Sequence, residues 1–236
     1  YVFKGTEYIL IELALASPWD DSLVYGPKTI VDDWISLRHV GFTTIDSILP
    51  HPTNPNQTYV FSGQRYYTSF AFAPNTNDQG IAYSEAHTGR GIDKDWAALK
   101  DAGFASVDMV IPVPGYGTKE FYIFSGSEYA AISYDPSRLE TTLTLSSIFD
   151  EWLSLRHVGF RTIDSILPHP TKPNQMYVFS NERYVLIEFP SYPGAQDDVL
   201  VYGPEDIASD WPILQESPAG TYDVMLLSPA PPTNGS

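Results

Sequence analysis

The sequence predicts an all-β protein, a four-bladed β-propeller made from one unit repeated four times. Three observations carry that reading. Ile-x-x-x-Trp-x-x-Leu occurs at Ile30/Trp34/Leu37, Ile92/Trp96/Leu99, Ile148/Trp152/Leu155 and Ile207/Trp211/Leu214, recurring roughly every 60 residues, a period that belongs to arrays and propellers. A second signature, Tyr-[Val/Ile]-Phe-x-x-x-[Glu/Arg]-Tyr, occupies residues 1–8 (YVFKGTEY), 59–66 (YVFSGQRY), 122–129 (YIFSGSEY) and 177–184 (YVFSNERY). The two ends of the chain are also complementary: the first hairpin lacks a preceding strand, and the last strand lacks a following hairpin.

The hairpin signature reads as two β-rich runs joined by a tight turn, with Gly5, Gly63, Gly126 and Asn181 where the backbone needs positive φ. An inner strand precedes it: Ile45-Asp46-Ser47-Ile48, Val107-Asp108-Met109-Val110, Ile163-Asp164-Ser165-Ile166 and, without a hairpin after it, Tyr222-Asp223-Val224-Met225. A short outer strand is expected after each hairpin, over residues 23–25, 81–83, 142–145 and 200–202, with a short insertion in the second copy near residues 87–91. The Ile, Trp and Leu of the first motif then share one face of a short helix. Pro27 and Pro204 suit the start of that helix, and Gly41, Gly103 and Gly159 its end.

A lone sheet of four short strands leaves its faces exposed, whereas four sheets set radially bury each other's faces. The leftover C-terminal strand then pairs with the N-terminal hairpin and closes the ring. The expected organisation is a single domain over residues 1–236, with blades of approximately 1–42 plus 221–228, 43–104, 105–160 and 161–220.

Composition narrows the function classes. The chain has no cysteine, which removes disulfides, thiolate metal sites and a cysteine nucleophile. That fits a reducing cytoplasm or a storage compartment and does not exclude secretion. The formal net charge of −16 repels nucleic acid and anionic membranes and favours cationic partners. No apolar run is long enough to span a bilayer. Residues 1–16 resemble the apolar part of a signal peptide, but Glu7 and Glu12 interrupt them and the same pattern recurs at 177–189, so they read as structure.

The inner-strand, hairpin and Trp-helix signatures together resemble the hemopexin-like four-bladed propeller over essentially the whole chain. Among such proteins, a single cysteine-free domain looks most like the albumin-2 proteins of legume seeds and their fungal and bacterial relatives. Hemopexin itself and the matrix metalloproteinase domains close their ring with a disulfide that this chain cannot make.

Asp46, Asp108, Asp164 and Asp223 fall in one register on the four inner strands, so a ring gathers four acidic positions around its axis. Clustered carboxylates repel, and a hard cation with oxygen ligands relieves them. The resemblance implies a Ca²⁺ or Na⁺ ion held by the backbone carbonyls of these aspartates. It also implies a second ring of backbone groups at Ile48, Val110, Ile166 and Met225. The other reading makes each aspartate a cap for backbone N–H groups of a neighbouring blade, and both can hold at once, since ligand and cap use different atoms.

Residues 33–66 and 151–184 are nearly identical and bear matched histidines, His39/His157 and His51/His169. Either His51 and His169 face each other at a channel mouth, ready to ligate haem iron with Arg38 and Arg156 offsetting the acidic field, or the identity simply records duplication. No Gly-x-Ser-x-Gly, phosphate loop or His-Glu-x-x-His occurs, and the acid pairs Asp20/Asp21, Asp32/Asp33 and Asp197/Asp198 need not converge. The expectation is a non-enzymatic binding or storage protein for a small ligand, a polyamine or haem, with a sugar-binding lectin or a protein-interaction module as alternatives; a homodimer is compatible with it. Asn56-Gln57-Thr58 and Asn234-Gly235-Ser236 match the N-glycosylation pattern.

Overall fold

The computed structural model describes residues 1–13, 21–70, 89–114, 119–135, 139–189, 198–216 and 224–225. Four antiparallel sheets of four strands form the blades of a propeller. The first contains β1 (Val2–Lys4), β2 (Glu7–Glu12) and β3 (Ser22–Thr29), followed by α1 (Ile30–Asp33) and α2 (Ile35–Val40). The second contains β4 (Ser47–Pro50), β5 (Gln57–Ser62), β6 (Arg65–Phe70) and β7 (Arg90–Gly91), followed by α3 (Ile92–Asp95) and α4 (Ala97–Asp101). The third contains β8 (Met109–Pro112), β9 (Glu120–Ser125), β10 (Glu128–Asp135) and β11 (Leu139–Ser147), followed by α5 (Ile148–Glu151) and α6 (Leu153–Val158). The fourth contains β12 (Ser165–Pro168), β13 (Gln175–Ser180), β14 (Arg183–Glu188) and β15 (Val199–Asp206), followed by α7 (Ile207–Asp210) and a 3₁₀ turn, Pro212–Glu216.

The ring closes as its ends require. The last described strand, β16 (Val224–Met225), is the inner strand of the first blade and pairs with β1, Val2 opposite Met225 and Phe3 opposite Val224. The expected turn residues all adopt positive φ: 55° at Gly5, 57° at Gly63, 61° at Gly126 and 56° at Asn181.

The core is four clusters, one at each blade-to-blade interface. Period-two alternation along the second strand of each blade feeds two of them at once. Phe61 faces the cluster shared with the third blade, while its neighbour Val60 faces the cluster shared with the first. Phe124 and Ile123 divide in the same way, as do Phe179 and Val178. Val2 and Ile9 join Phe179, Ile207 and Leu214 in the fourth cluster, so apolar burial continues across the seam.

Within each blade the tryptophan meets three rings of the hairpin signature. Trp34 packs on Tyr1, Phe3 and Tyr8; Trp96 on Tyr59, Phe61 and Tyr66; Trp152 on Tyr122, Phe124 and Tyr129; Trp211 on Tyr177, Phe179 and Tyr184. All twelve contacts are edge-on, the favoured geometry for ring quadrupoles.

Three local expectations need correction. The motif does not lie on one continuous helix. The backbone breaks at each tryptophan, with φ −103° and ψ 80° at Trp34 and nearly the same at Trp96. Hydrogen bonds survive on both sides of the break: Trp34 N–H donates to Ile30 O at 2.8 Å, and Arg38 N–H to Trp34 O at 3.1 Å. The break turns the second half-helix while keeping Ile30, Trp34 and Leu37 buried.

The outer strands are also longer than expected. β3, β11 and β15 run up to the residue before their helices, because Glu7, Glu128 and Arg183 pair with Thr29, Ser147 and Asp206. Pro27 and Pro204 therefore sit inside β3 and β15, each after a cis bond, and not at a helix start. In the second blade the described outer strand is Arg90–Gly91; residues 81–83 lie outside the described residues. Gly41 and Gly159 end their helices in the left-handed region, as expected.

Removing the Trp152 indole deletes four ring contacts, with Tyr122, Phe124, Tyr129 and Phe189, and opens a cavity between blades. Trp152→Ala should lower unfolding free energy by about 3–5 kcal/mol, measured by urea denaturation. Arg156→Ala, at an exposed position one turn on, should change it by less than about 0.5 kcal/mol.

Candidate functional site

The inner-strand aspartates sit one residue before β4, β8 and β12, and their carboxylates point back into their own blades. Gly63 N–H donates to Asp46 Oδ2 at 2.5 Å and Gly126 N–H to Asp108 Oδ2 at 2.6 Å. Asn181 N–H makes the matching bond to Asp164 Oδ2. The donor is in each case the positive-φ residue of the hairpin turn, whose amide would otherwise lack a partner in the ladder. The cap therefore serves the same blade, not a neighbouring one. Backbone pairing fixes the base of each aspartate as well: Asp46, Asp108 and Asp164 N–H donate to Phe61, Phe124 and Phe179 O. Asp223, the fourth member, lies outside the described residues.

This geometry alters the electrostatic argument. The three described carboxylates each bind a turn amide, and among the described residues no three His, Asp or Glu side chains converge as a metal-binding group. The donor set does not fit a carboxylate-cage metal, so an axial ion would have to rest on backbone oxygen.

The next position along the inner strands links the blades. Ser47 is fully buried; its Oγ accepts Val110 N–H at 2.9 Å and lies 3.9 Å from Met109 Sδ. Ser165 is buried at the matching place in the fourth blade. The side chains of Ile48, Val110 and Ile166 belong to three different interface clusters. Met225 is the partner of Val2 in β16.

His51 and His169 organise loops. His51 Nδ1 accepts Thr53 and Asn54 N–H at 3.3 and 3.2 Å, and its ring stacks on Tyr59 at 4.9 Å. It also meets Tyr134 of the third blade edge-on. His169 Nδ1 accepts Thr171 N–H at 3.2 Å, and its ring stacks on Tyr177. Burial lowers the pKa of both imidazoles, and Lys172 adds to the effect at His169. In the neutral form each Nδ1 remains an acceptor. Arg38 and Arg156 are exposed on α2 and α6, and Arg156 donates to Asp150 O at 3.4 Å.

Two constellations escaped the sequence reading. The first is an acidic residue immediately before the motif tryptophan of each repeat: Asp33, Asp95, Glu151 and Asp210. Tyr8 and Tyr25 hydroxyls donate to Asp33 at 2.7 and 2.8 Å, and Tyr184 and Tyr202 to Asp210 at 2.7 and 3.3 Å. Tyr66 donates to Asp95 at 3.2 Å, where Arg90 adds a two-pronged ion pair. In the third blade Leu143 replaces the outer-strand tyrosine, and Glu151 instead accepts the Ser146 hydroxyl at 3.3 Å. The Tyr8 hydrogen bond, aided by Tyr25 and Lys28, holds the Asp33 carboxyl below its usual range. Burial, then the neighbouring carboxylate, drives the Tyr8 and Tyr184 hydroxyls far above theirs; Tyr129 is pushed up to about 12, chiefly by burial. The recurring acid-Trp pair was the available signal.

The second constellation is a clasp between blades. Asp198, just before β15, accepts Ser154 N–H at 3.0 Å through Oδ2, and its carbonyl accepts the Ser154 hydroxyl at 3.0 Å. Burial raises the Asp198 pKa against these hydrogen bonds.

Asp108→Ala should cost about 1 kcal/mol, the scale of a lost side-chain cap, and the loss should be equal in calcium and in chelator. A loss seen only in calcium would make that carboxylate a metal ligand. The histidines predict a pH effect with a definite sign. Their folded pKa values lie below 6.5, so below pH 6.5 the unfolded chain binds more protons and stability falls. The urea midpoint should drop between pH 7.5 and pH 5, and His51→Gln/His169→Gln should flatten that slope.

No protein-family model matches the chain. Its sequence is similar to albumin-2 of Pisum sativum, 22% identical over 91% of this chain and 89% of that protein. It is 23% identical to albumin-2 of Lathyrus sativus over 92% of this chain and 90% of that one. Among solved structures, a Cicer arietinum albumin showing hemagglutination superposes with TM-score 0.72 at 23% identity, covering 92% of both chains. A Cicer arietinum lectin with two metal binding sites gives 0.71 at 24% over 92% of both, and a hemopexin fold protein from cow pea gives 0.70 at 23% over 91% of both. By fold this chain is a hemopexin-like four-bladed propeller, with albumin-2 proteins among its sequence relatives.

Proposed function

We propose that this chain is a non-enzymatic ligand-binding or storage protein of the hemopexin-like albumin type, with an axial Ca²⁺ or Na⁺ ion and an affinity for a small polycation such as a polyamine. The observation that carries the reading is the engagement of the inner-strand carboxylates by their own hairpin turns. Acids bound to backbone amides are poorly suited to acid–base chemistry, and among the described residues no convergent acid or histidine cluster replaces them. The ion would be held by the carbonyls of Asp46, Asp108, Asp164 and Asp223, with backbone groups of Ile48, Val110, Ile166 and Met225 below. Its chemistry is structural: a hard cation shared by four strands ties the blades together.

The polycation follows from charge. With 29 acidic against 13 basic residues, the surface attracts amines and repels carboxylates. The same field opposes haem, whose propionates would need Arg38 or Arg156. At His51 and His169 the engaged Nδ1 leaves Nε2 as the ligating atom. A lectin is the second reading. It is favoured by the neighbours described as a lectin and as a hemagglutinating albumin.

Calorimetry with spermine separates these readings. Binding that weakens steeply with added salt supports the electrostatic account; binding unchanged by salt overturns it. A haem titration should give no histidine-dependent Soret band, and a band abolished by His51→Ala/His169→Ala would promote the haem reading. Sugar-inhibitable haemagglutination with no spermine binding would establish the lectin instead. Anomalous diffraction in calcium tests the axial ion.

A further inference from the structure

We propose that Asn56 is an N-glycan acceptor, modified when the chain passes through a glycosylating secretory compartment. Asn56-Gln57-Thr58 has the acceptor pattern, and the fold presents it. Asn56 is exposed, in the loop between β4 and β5. That loop is closed at its base: His51 N–H donates to Gln57 O at 2.9 Å, and Gln57 N–H to Asn54 O at 3.0 Å. Asn56 N–H is itself bound by Asn54 Oδ1 at 3.1 Å. The acceptor is thus held on a defined turn with its side chain toward solvent, and a glycan there displaces no core contact. Thr58, two residues on, is the second residue of β5, opposite Pro50 and Ser69.

The molecule contains its own control. The near-duplicate loop of the fourth blade repeats the geometry, with His169 N–H to Gln175 O at 2.9 Å and Gln175 N–H to Lys172 O at 3.0 Å. There the sequence is Asn174-Gln175-Met176. Met176 is 4% exposed and packs between the third and fourth blades, so the hydroxyl of the acceptor pattern is replaced by a core side chain. The two loops therefore share their closing hydrogen bonds and differ in the hydroxyl the transferase requires, with Lys172 standing where Asn54 holds the Asn56 amide.

The co-reactant is a lipid-pyrophosphate-linked oligosaccharide supplied by the host transferase. The Asn56 carboxamide nitrogen bonds to the anomeric carbon of the first sugar. The bond from that carbon to the pyrophosphate oxygen breaks, the lipid pyrophosphate leaves with the electron pair, and the amide proton passes to the transferase. The attachment point lies at the end of β4 remote from Asp46, about 13 Å along the strand at ~3.3 Å per residue. The glycan thus leaves the hairpin end of the ring uncovered.

The test is to express the full chain behind a secretory leader in a eukaryotic host and map sites by peptide mass spectrometry after N-glycanase digestion in H₂¹⁸O. The expected result is ¹⁸O-labelled aspartate at position 56 and none at 174. The label should vanish in Asn56→Gln and Thr58→Ala and persist in Thr58→Ser. Thr58→Ala keeps the asparagine and removes the hydroxyl together with one methyl group, so loss there with a normal yield is not a folding failure. An unmodified Asn56 peptide in the secreted parent chain overturns the proposal, as does modification that survives Thr58→Ala.

Discussion

The packing of each indole against three rings of its own hairpin is the contact on which the rest of the blade depends. Its edge-on contacts contribute about 0.5–1.5 kcal/mol each beyond simple burial, and they do more than add stability. Reaching those rings requires the backbone to leave helical geometry at the tryptophan, which is why two half-helices stand where one was expected. The residue just before the break is then brought beneath the third ring, where Asp33 and Asp210 accept tyrosine hydroxyls. The outer strand is drawn in by the same acids through Tyr25 and Tyr202. Two sequence signatures that look independent are thus halves of one packing unit.

Much of the architecture was legible because a propeller repeats its constraints. Four copies of each signature set the register, and complementary ends required β16 to meet β1. The positive-φ turns could be read from Gly5, Gly63, Gly126 and Asn181, since few other residues tolerate that backbone. The errors were local. A period of three to four residues specifies which side chains are buried, and a broken helix buries Ile30, Trp34 and Leu37 as well as a straight one. Pro27 and Pro204 looked like helix starts because their place within β3 and β15 depends on backbone geometry that the pattern of residue types does not encode.

The site was legible in position but not in direction. Register put Asp46, Asp108 and Asp164 on the inner strands, and the structure keeps them there. Repulsion among them had suggested an anionic ring. In the structure a turn amide within hydrogen-bond reach takes each described carboxylate, while the backbone carbonyls of the same residues, the atoms expected to hold an axial ion, are a separate set. At His51 and His169 the Nδ1 atoms likewise organise the loops that carry them, a contact that the duplicated sequence does not reveal. Side-chain orientation depends on such neighbours, from 2 to 18 residues away along the chain, which leave no periodic trace.

The seam through the first blade has a kinetic consequence. Every other inner strand pairs with the strand that follows it along the chain, whereas β1 must find β16 at the opposite terminus. Loop entropy rises only logarithmically, so closing that span instead of a local hairpin costs about 2–3 kcal/mol extra. The search is slower than that difference suggests, because contacts of large sequence separation retard folding. Blades two to four can therefore assemble from local hairpins while the ring remains an open arc. Until the latch engages, Val2, Ile9, Phe179 and Leu214 face water, and the arc exposes the kind of apolar edge through which one chain can capture the strand of another.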